Sequence, residues 1–324
     1  MKKEFVGKTI CFLGASLTEH GHFSYNLRSY FHDAKEKCKV YNRGTGGNRV
    51  IMSQHILDRE IDGMHPDYVV VSFGANDMGI WLYDSNKQVT PELLAKRKAR
   101  DDEYFLGWEI IIEMIKARGI TPIIMSPCAV DQLLTEREDI ETLADNKEKE
   151  DYIGPSFYKR KTFENLNDAL RGYAEKLKKL AKETNVPYIP LFEKVYQAML
   201  CEKGVFAKDG IHPTKEVGHV VIAKTILEFL GCEDIPESFS RSEENDKIFA
   251  LEQIERKASR FYTGHPFNPI FGEKTEEDMK KASKEYLNST AECLKKTGEA
   301  YLEYGDKIPE LREKIFKLTQ EFCG

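Results

Sequence analysis

The stretch TICFLGASLTEHGHF, residues 9–23, runs from an apolar segment through Gly14-Ala15-Ser16 into a helical pattern, and its reading decides the fold. An apolar run without polar alternation is the pattern of a strand covered on both faces. Ser16 then stands at the carboxyl end of that strand, and two readings compete for its hydroxyl. Ser16, Leu17, Thr18 and Glu19 fit a capping box, in which a serine and a glutamate three residues on satisfy free N–H groups at a helix start. A nucleophile at the same place needs partners elsewhere in the chain: a base, a carboxylate to orient it, and donors for a developing oxyanion.

Outward from this segment the same pattern recurs. Apolar runs at 39–44, 67–74, 120–127 and 186–192 alternate with helical patterns at about 21–34, 49–62, 101–118, 163–184 and 215–230. Strand-then-helix alternation predicts a three-layer α/β/α sandwich on a mainly parallel five-stranded sheet, whose functional residues lie beyond the carboxyl ends of the strands. Residues 79–100 and 129–162 are long polar connections of the kind used as lids, binding loops or solvated insertions. After residue 231 the strand signals stop. Residues 232–324 read as a helical C-terminal extension to a domain of residues 1–231. Thr275 to Asp278 resembles a second capping box, Met279, Ala282, Tyr286, Leu287 and Leu294 follow it at helical spacing, and Leu311, Ile315, Leu318 and Phe322 repeat the period. That face suits packing on the main domain or homo-oligomer formation through the C-terminal helices.

Composition narrows the function classes. A net charge of −6 in a chain with 31% charged residues argues against nucleic acid as the partner. No segment approaches the roughly 18 apolar residues of a membrane span, and the first apolar run is too short and interrupted for a secretory signal, so a cytoplasmic protein is expected. Seven scattered cysteines without a C-x-x-C pair suggest reduced thiols and no zinc site. His20 and His22 have no carboxylate or cysteine at ligand spacing and read as surface or pocket-lining residues, whereas His219 reads as structural and His265 as part of an aromatic, proline-broken loop.

Three further stretches fall at strand ends. YNRGTGGNR (41–49) carries three glycines able to expose backbone N–H groups, and SFGANDMG (72–79) places Asn76, an uncharged amide donor, at the sheet edge. FAKDGIHPT (206–214) sets Asp209 and His212 three residues apart before a helix. Each has a plainer reading: a turn before Pro213, a turn asparagine, or a glycine-rich phosphate cradle. The glycine stretch matches neither a Walker A loop nor G-x-G-x-x-G. Taken together they supply the parts of an acyl-transfer site.

GASL at 14–17, NRGTGG at 42–47, GAND at 74–77 and DGIH at 209–212 resemble, in order, the four sequence blocks of the SGNH hydrolase superfamily, the GDSL-type esterases and lipases. The resemblance implies a serine esterase acting on short acyl esters, with O-acetyl groups on carbohydrate as one substrate class, and no metal or organic cofactor. It implies Ser16 as nucleophile, His212 as base, Asp209 as orienting carboxylate, and an oxyanion hole from the Ser16 N–H, a glycine N–H and the Asn76 amide. Gly47, five residues after Asn42, fits the family spacing, with Gly46 beside it as the alternative. Trp81 and Tyr83 are expected as substrate-binding pocket walls, together with the 129–162 insertion. Ala15 departs from the family's aspartate. Two other outcomes use the same residues: an acyltransferase working through the same acyl-enzyme, or an inactive carbohydrate-binding or scaffolding protein, for which Ala15 is the only support.

Overall fold

The computed structural model describes residues 1–85, 87–132, 163–207, 209–259, 276–287 and 292–323. Strands β1 (Thr9–Gly14), β2 (Lys39–Gly44), β3 (Tyr68–Ser72), β4 (Thr121–Met125) and β5 (Tyr188–Ile189) form one sheet in the order β2-β1-β3-β4-β5. All pairings are parallel. Every residue of β1 is buried, as the unbroken apolar run requires of a strand with helices on both faces. The helices are α1 (Ser16–His20), α2 (His22–Asp33), α3 (Val50–Ser53), α4 (Leu57–Ile61), α5 (Ala75–Met78), α6 (Pro91–Ala117), α7 (Leu166–Thr184), α8 (Leu191–Cys201), α9 (Gly218–Phe229), α10 (Glu243–Ser259), α11 (Glu276–Leu287), α12 (Glu292–Tyr304) and α13 (Ile308–Cys323). The architecture is the α/β/α sandwich expected, extended by C-terminal helices.

Because β1 pairs with β2 on one side and β3 on the other, the connections leaving it and β3 diverge and open a crevice at the carboxyl edge. Helix α1 sits directly on that edge. A Cβ at Gly14 would overlap the Thr18 side chain, and one at Gly44 would overlap the backbone of Thr18 and Glu19. The glycines ending β1 and β2 therefore let α1 rest on the sheet. Gly44 serves as a packing surface, which gives part of the glycine-rich stretch a role other than holding phosphate.

Several boundaries differ from the sequence expectation. The run at 186–192 forms only a two-residue strand, because Leu191 and Phe192 already begin α8; the Phe192 N–H is capped by the Ser126 hydroxyl at 2.8 Å, a partner from β4's end 66 positions away. Helix α6 begins inside the expected 79–100 connection, where Thr90 caps the Leu93 N–H at 3.2 Å and Pro91 occupies the first turn. The pattern at 49–62 is two short helices. Val50, which opens the first, has its N–H capped by Asp77 Oδ1 at 2.7 Å. Thr275, the 133–162 part of the insertion and His265 lie outside the described residues, as do the side chains of Met279, Ala282, Tyr286 and Leu294.

The C-terminal helices pack on the main domain. Phe316 meets Tyr41 edge-on at 5.2 Å between centroids, and Phe322 stacks on His32 at 4.4 Å. Beneath them lies a buried ionic lattice. Arg43 of β2 pairs with Glu60 of α4 and Glu255 of α10, each at 2.9 Å. Arg256 bridges the same two carboxylates, donating to Glu60 at 2.6 Å and to Glu255 at 2.6 and 2.7 Å. Arg312 of α13 adds a bond to Glu255 at 2.7 Å, and Arg28 of α2 pairs with Glu252 at 3.0 Å. Burial raises the cost of charging Glu255, but the three surrounding guanidiniums outweigh it and hold the carboxyl well below its usual range.

Candidate active site

Local geometry sets the site up from three strand ends. Ser16 is the first residue of α1, and Ala15 occupies the cap position without a side-chain bond. Glu19 contributes through its backbone: its N–H donates to Ala15 O at 2.9 Å and its carbonyl accepts from Asn42 and Gln253. The capping box read from the sequence is thus not what holds this helix start, and the Ser16 hydroxyl lies 2.9 Å from His212 Nε2.

His212 comes from the turn before α9. Gly210 adopts φ +66°, a conformation open to glycine, and folds the chain so that Asp209 Oδ1 accepts the N–H groups of both Ile211 and His212 at 2.9 Å. The other carboxylate oxygen is 2.6 Å from His212 Nδ1. With Nδ1–H donating to the carboxylate, Nε2 is left as acceptor for the serine O–H. Burial pushes the Asp209 carboxyl up, but the His212 ring and two backbone N–H groups outweigh it and hold the group well below the ordinary carboxylate range. Asp209 therefore remains anionic beside the imidazole at neutral pH.

The second and third stretches meet across the crevice. Asn76, on α5, donates from its side-chain amide to Asn48 O at 3.1 Å, joining the β3 end to the loop after β2. Gly47 in that loop has φ +75°, which distinguishes it from Gly46. Asn42 Oδ1 accepts from the Gly44 N–H at 2.9 Å and its amide reaches Glu19 O at 3.3 Å, so one asparagine fastens the start of this loop to α1.

The remaining expectations divide. Trp81 and Tyr83, expected as pocket walls, are 8% and 7% exposed; Arg100 and Arg97 of α6 lie over their rings, so they belong to the packing beneath α6. His219 is buried and accepts the Phe23 N–H on Nδ1 at 3.2 Å, a structural contact. His20, read as surface or pocket-lining, lies against His212 with ring centroids 4.8 Å apart. Sequence reasoning also passed over Asp77. Its carboxyl is fully buried; burial drives it up to about 7 against the opposing Val50 N–H and Arg49. The GAND stretch pointed to Asn76, but nothing in it pointed to Val50 as a partner. Among the described residues no group of three or more His, Cys, Asp or Glu side chains is arranged to hold a metal ion. No helix there is long and apolar enough to cross a membrane.

Comparison with solved structures places the fold. BT4096, described as a gut microbial diltiazem-metabolizing enzyme, superposes with a TM-score of 0.68 at 13% identity, covering 99% of this chain and 97% of its own. A tryptophan-to-isoleucine mutant of Axe2, an acetyl xylan esterase from Geobacillus stearothermophilus, gives 0.51 at 18% identity, covering 73% of this chain and 98% of its own. A catalytic mutant of the same enzyme, with a histidine replaced by alanine, gives 0.50 at 18% identity over 72% and 98%. No curated protein sequence matches the chain. The model of the GDSL-like lipase/acylhydrolase family matches residues 12–219, the span that contains Ser16, Gly47, Asn76, Asp209 and His212; the last two follow α8 and not a strand, unlike the expectation for the 206–214 stretch. The chain belongs to that family and is a carboxylic ester hydrolase.

Proposed function

We propose that the protein is a serine esterase for short acyl esters, acting through an acyl-enzyme on Ser16. The observation that carries this is the hydrogen-bonded chain Ser16 Oγ, His212, Asp209, at 2.9 and 2.6 Å, at the carboxyl edge of a parallel sheet. As Ser16 attacks the ester carbonyl, His212 Nε2 takes its proton, and the anionic Asp209 holds the tautomer and stabilises the imidazolium. The carbonyl oxygen becomes an oxyanion, received by the N–H groups of Ser16 and Gly47 and by the Asn76 amide. The Asn76 amide has two N–H groups, one of which is on Asn48 O at 3.1 Å, leaving the other for the oxyanion. His212 returns the proton to the leaving alcohol. Water activated by the same ring then releases the acid and restores the serine.

Ala15 removes none of these parts, since the orienting carboxylate comes from Asp209. For the substrate we propose an acetyl group on a carbohydrate alcohol, supported by the likeness to an acetyl xylan esterase over 73% of this chain. A cytoplasmic location fits the six cysteines whose side chains are described, all of them free thiols.

A fluorophosphonate probe with mapping of the labelled residue tests the reaction. The expected result is label on Ser16 that is lost in His212→Ala; folded protein that takes no label overturns the reading. Acetate release from acetylated xylooligosaccharides, compared with esters of longer acyl chains, tests the substrate. Acyl transfer to an added alcohol exceeding hydrolysis would identify a transferase instead.

A further inference from the structure

His20 is four residues after Ser16 on α1, one helical turn away, so both side chains reach the same side of the helix. His212 lies between them. Its Nε2 faces Ser16 Oγ, and its ring meets the His20 ring at 4.8 Å between centroids with the planes tilted by 36°. Behind His20 the rings continue. His219 is 6.4 Å from it, His22 meets His219 edge-on at 5.3 Å, and Phe249 of α10 stacks on His22 at 5.0 Å. A continuous aromatic wall thus runs from the proposed base to the C-terminal extension.

The histidines of this wall are held neutral. Burial, followed by the charge that His212 carries when protonated, lowers His20 to about 4. Burial also holds His219 well below its usual value, and its Nδ1 is engaged as an acceptor by the Phe23 N–H. The wall packs against a base that gains a charge in each turnover, without adding a charge that opposes it. Its flat face limits rotation of the His212 ring away from Ser16, a motion that the single Asp209 bond does not prevent. Catalytic geometry tolerates only a few tenths of an ångström of such play.

We propose that His20 is a positioning residue, its ring holding the His212 Nε2 on the Ser16 hydroxyl through proton transfer. This rests on the reading of Ser16 and His212 as nucleophile and base. Replacement should act on turnover and leave substrate affinity alone, because His20 touches the base and not the acyl group.

The experiment compares kcat and KM for short-ester hydrolysis in the wild type, His20→Ala and His20→Phe, with Tm for each and with His212→Ala as reference. His20→Ala is expected to lose on the order of tenfold to a hundredfold in kcat, the cost of a small misplacement, with KM within about twofold. His20→Phe, which keeps an uncharged flat ring, is expected to restore kcat to within about threefold of wild type. If the alanine chain does not fold, His20→Leu, which fills the space without a ring face, takes its place with the same expectation. The proposal is overturned if folded His20→Ala or His20→Leu keeps wild-type kcat, if the loss falls on KM, or if His20→Phe is as slow as the alanine variant. Failure of the reading beneath it is a separate result: His212→Ala would then keep full activity and Ser16 would take no fluorophosphonate.

Discussion

Asn76 and Asp77 are neighbours with opposite duties, one facing the crevice and the other buried beneath it. If the Asn76 amide receives the oxyanion, Asn76→Ala removes a donor used in the transition state and hardly at all before it. A fall in kcat of about 100- to 1000-fold with KM nearly unchanged is expected from steady-state kinetics. Unchanged kcat with raised KM would assign Asn76 to ground-state binding. Asp77 bears on stability through its proton. Its carboxyl rises from the usual 3.8 to about 7 in the folded chain, so between those values the unfolded chain releases a proton that the folded one keeps. Stability therefore falls as pH rises from about 4 to about 7 and levels off above, by at most on the order of 4 kcal/mol. Asp77→Asn keeps an oxygen for the Val50 N–H and removes the titration. Its Tm should exceed that of the wild type at pH 8 and match it at pH 4; equal differences at both values would refute the assignment.

At the scale of elements, the contact between α1 and the sheet leaves no room for a side chain at Gly14 or Gly44. A methyl group on Gly44 would overlap the backbone of Thr18 and Glu19, so α1 would have to lift and carry Ser16 away from His212. Gly44→Ala is expected to lower kcat/KM by at least about a hundredfold and to lower Tm as well, measurable by ester hydrolysis and thermal unfolding. The elements legible in the sequence were those whose cause is local. The apolar runs of β1 and β2 match their strands to the residue; Ser16 and Asn76 stood out as polar groups at strand ends, and Asp209 and His212 as a polar pair before a helix. What escaped depends on distant partners. Helix α8 starts where Ser126 caps Phe192, α3 starts where Asp77 caps Val50, and His20 finds His212 across 192 positions of chain; none of these pairings leaves a local pattern. The start of α6 was the exception, since Thr90-Pro91 is a local signal that the polarity of the surrounding connection concealed.

Across the whole molecule, the extension is bound through charge as much as through apolar contact. Three guanidiniums, of Arg43, Arg256 and Arg312, converge on the fully buried Glu255 carboxylate. Glu255→Ala leaves them without half of their counter-charge and is expected to cost about 3–5 kcal/mol, seen as a lower midpoint in urea unfolding. A loss below about 1 kcal/mol would mean that the lattice relaxes or admits water. Gln253 and Glu252, on the same helix, reach Glu19 O and the Asn42 N–H, so disturbance of α10 should also be felt at α1 and the loop bearing Gly47.

The lattice also imposes an order on biosynthesis. A ribosome finishes all four motifs by residue 212, yet Arg43 waits a further stretch of chain for Glu255, its partner 212 positions downstream, and Arg312 arrives later still. Until then Glu60 alone of its two carboxylate partners is in place to hold the buried Arg43. The growing chain can hold every residue of its chemistry and still be unable to close the molecule around it, and that last step belongs to its C-terminal end.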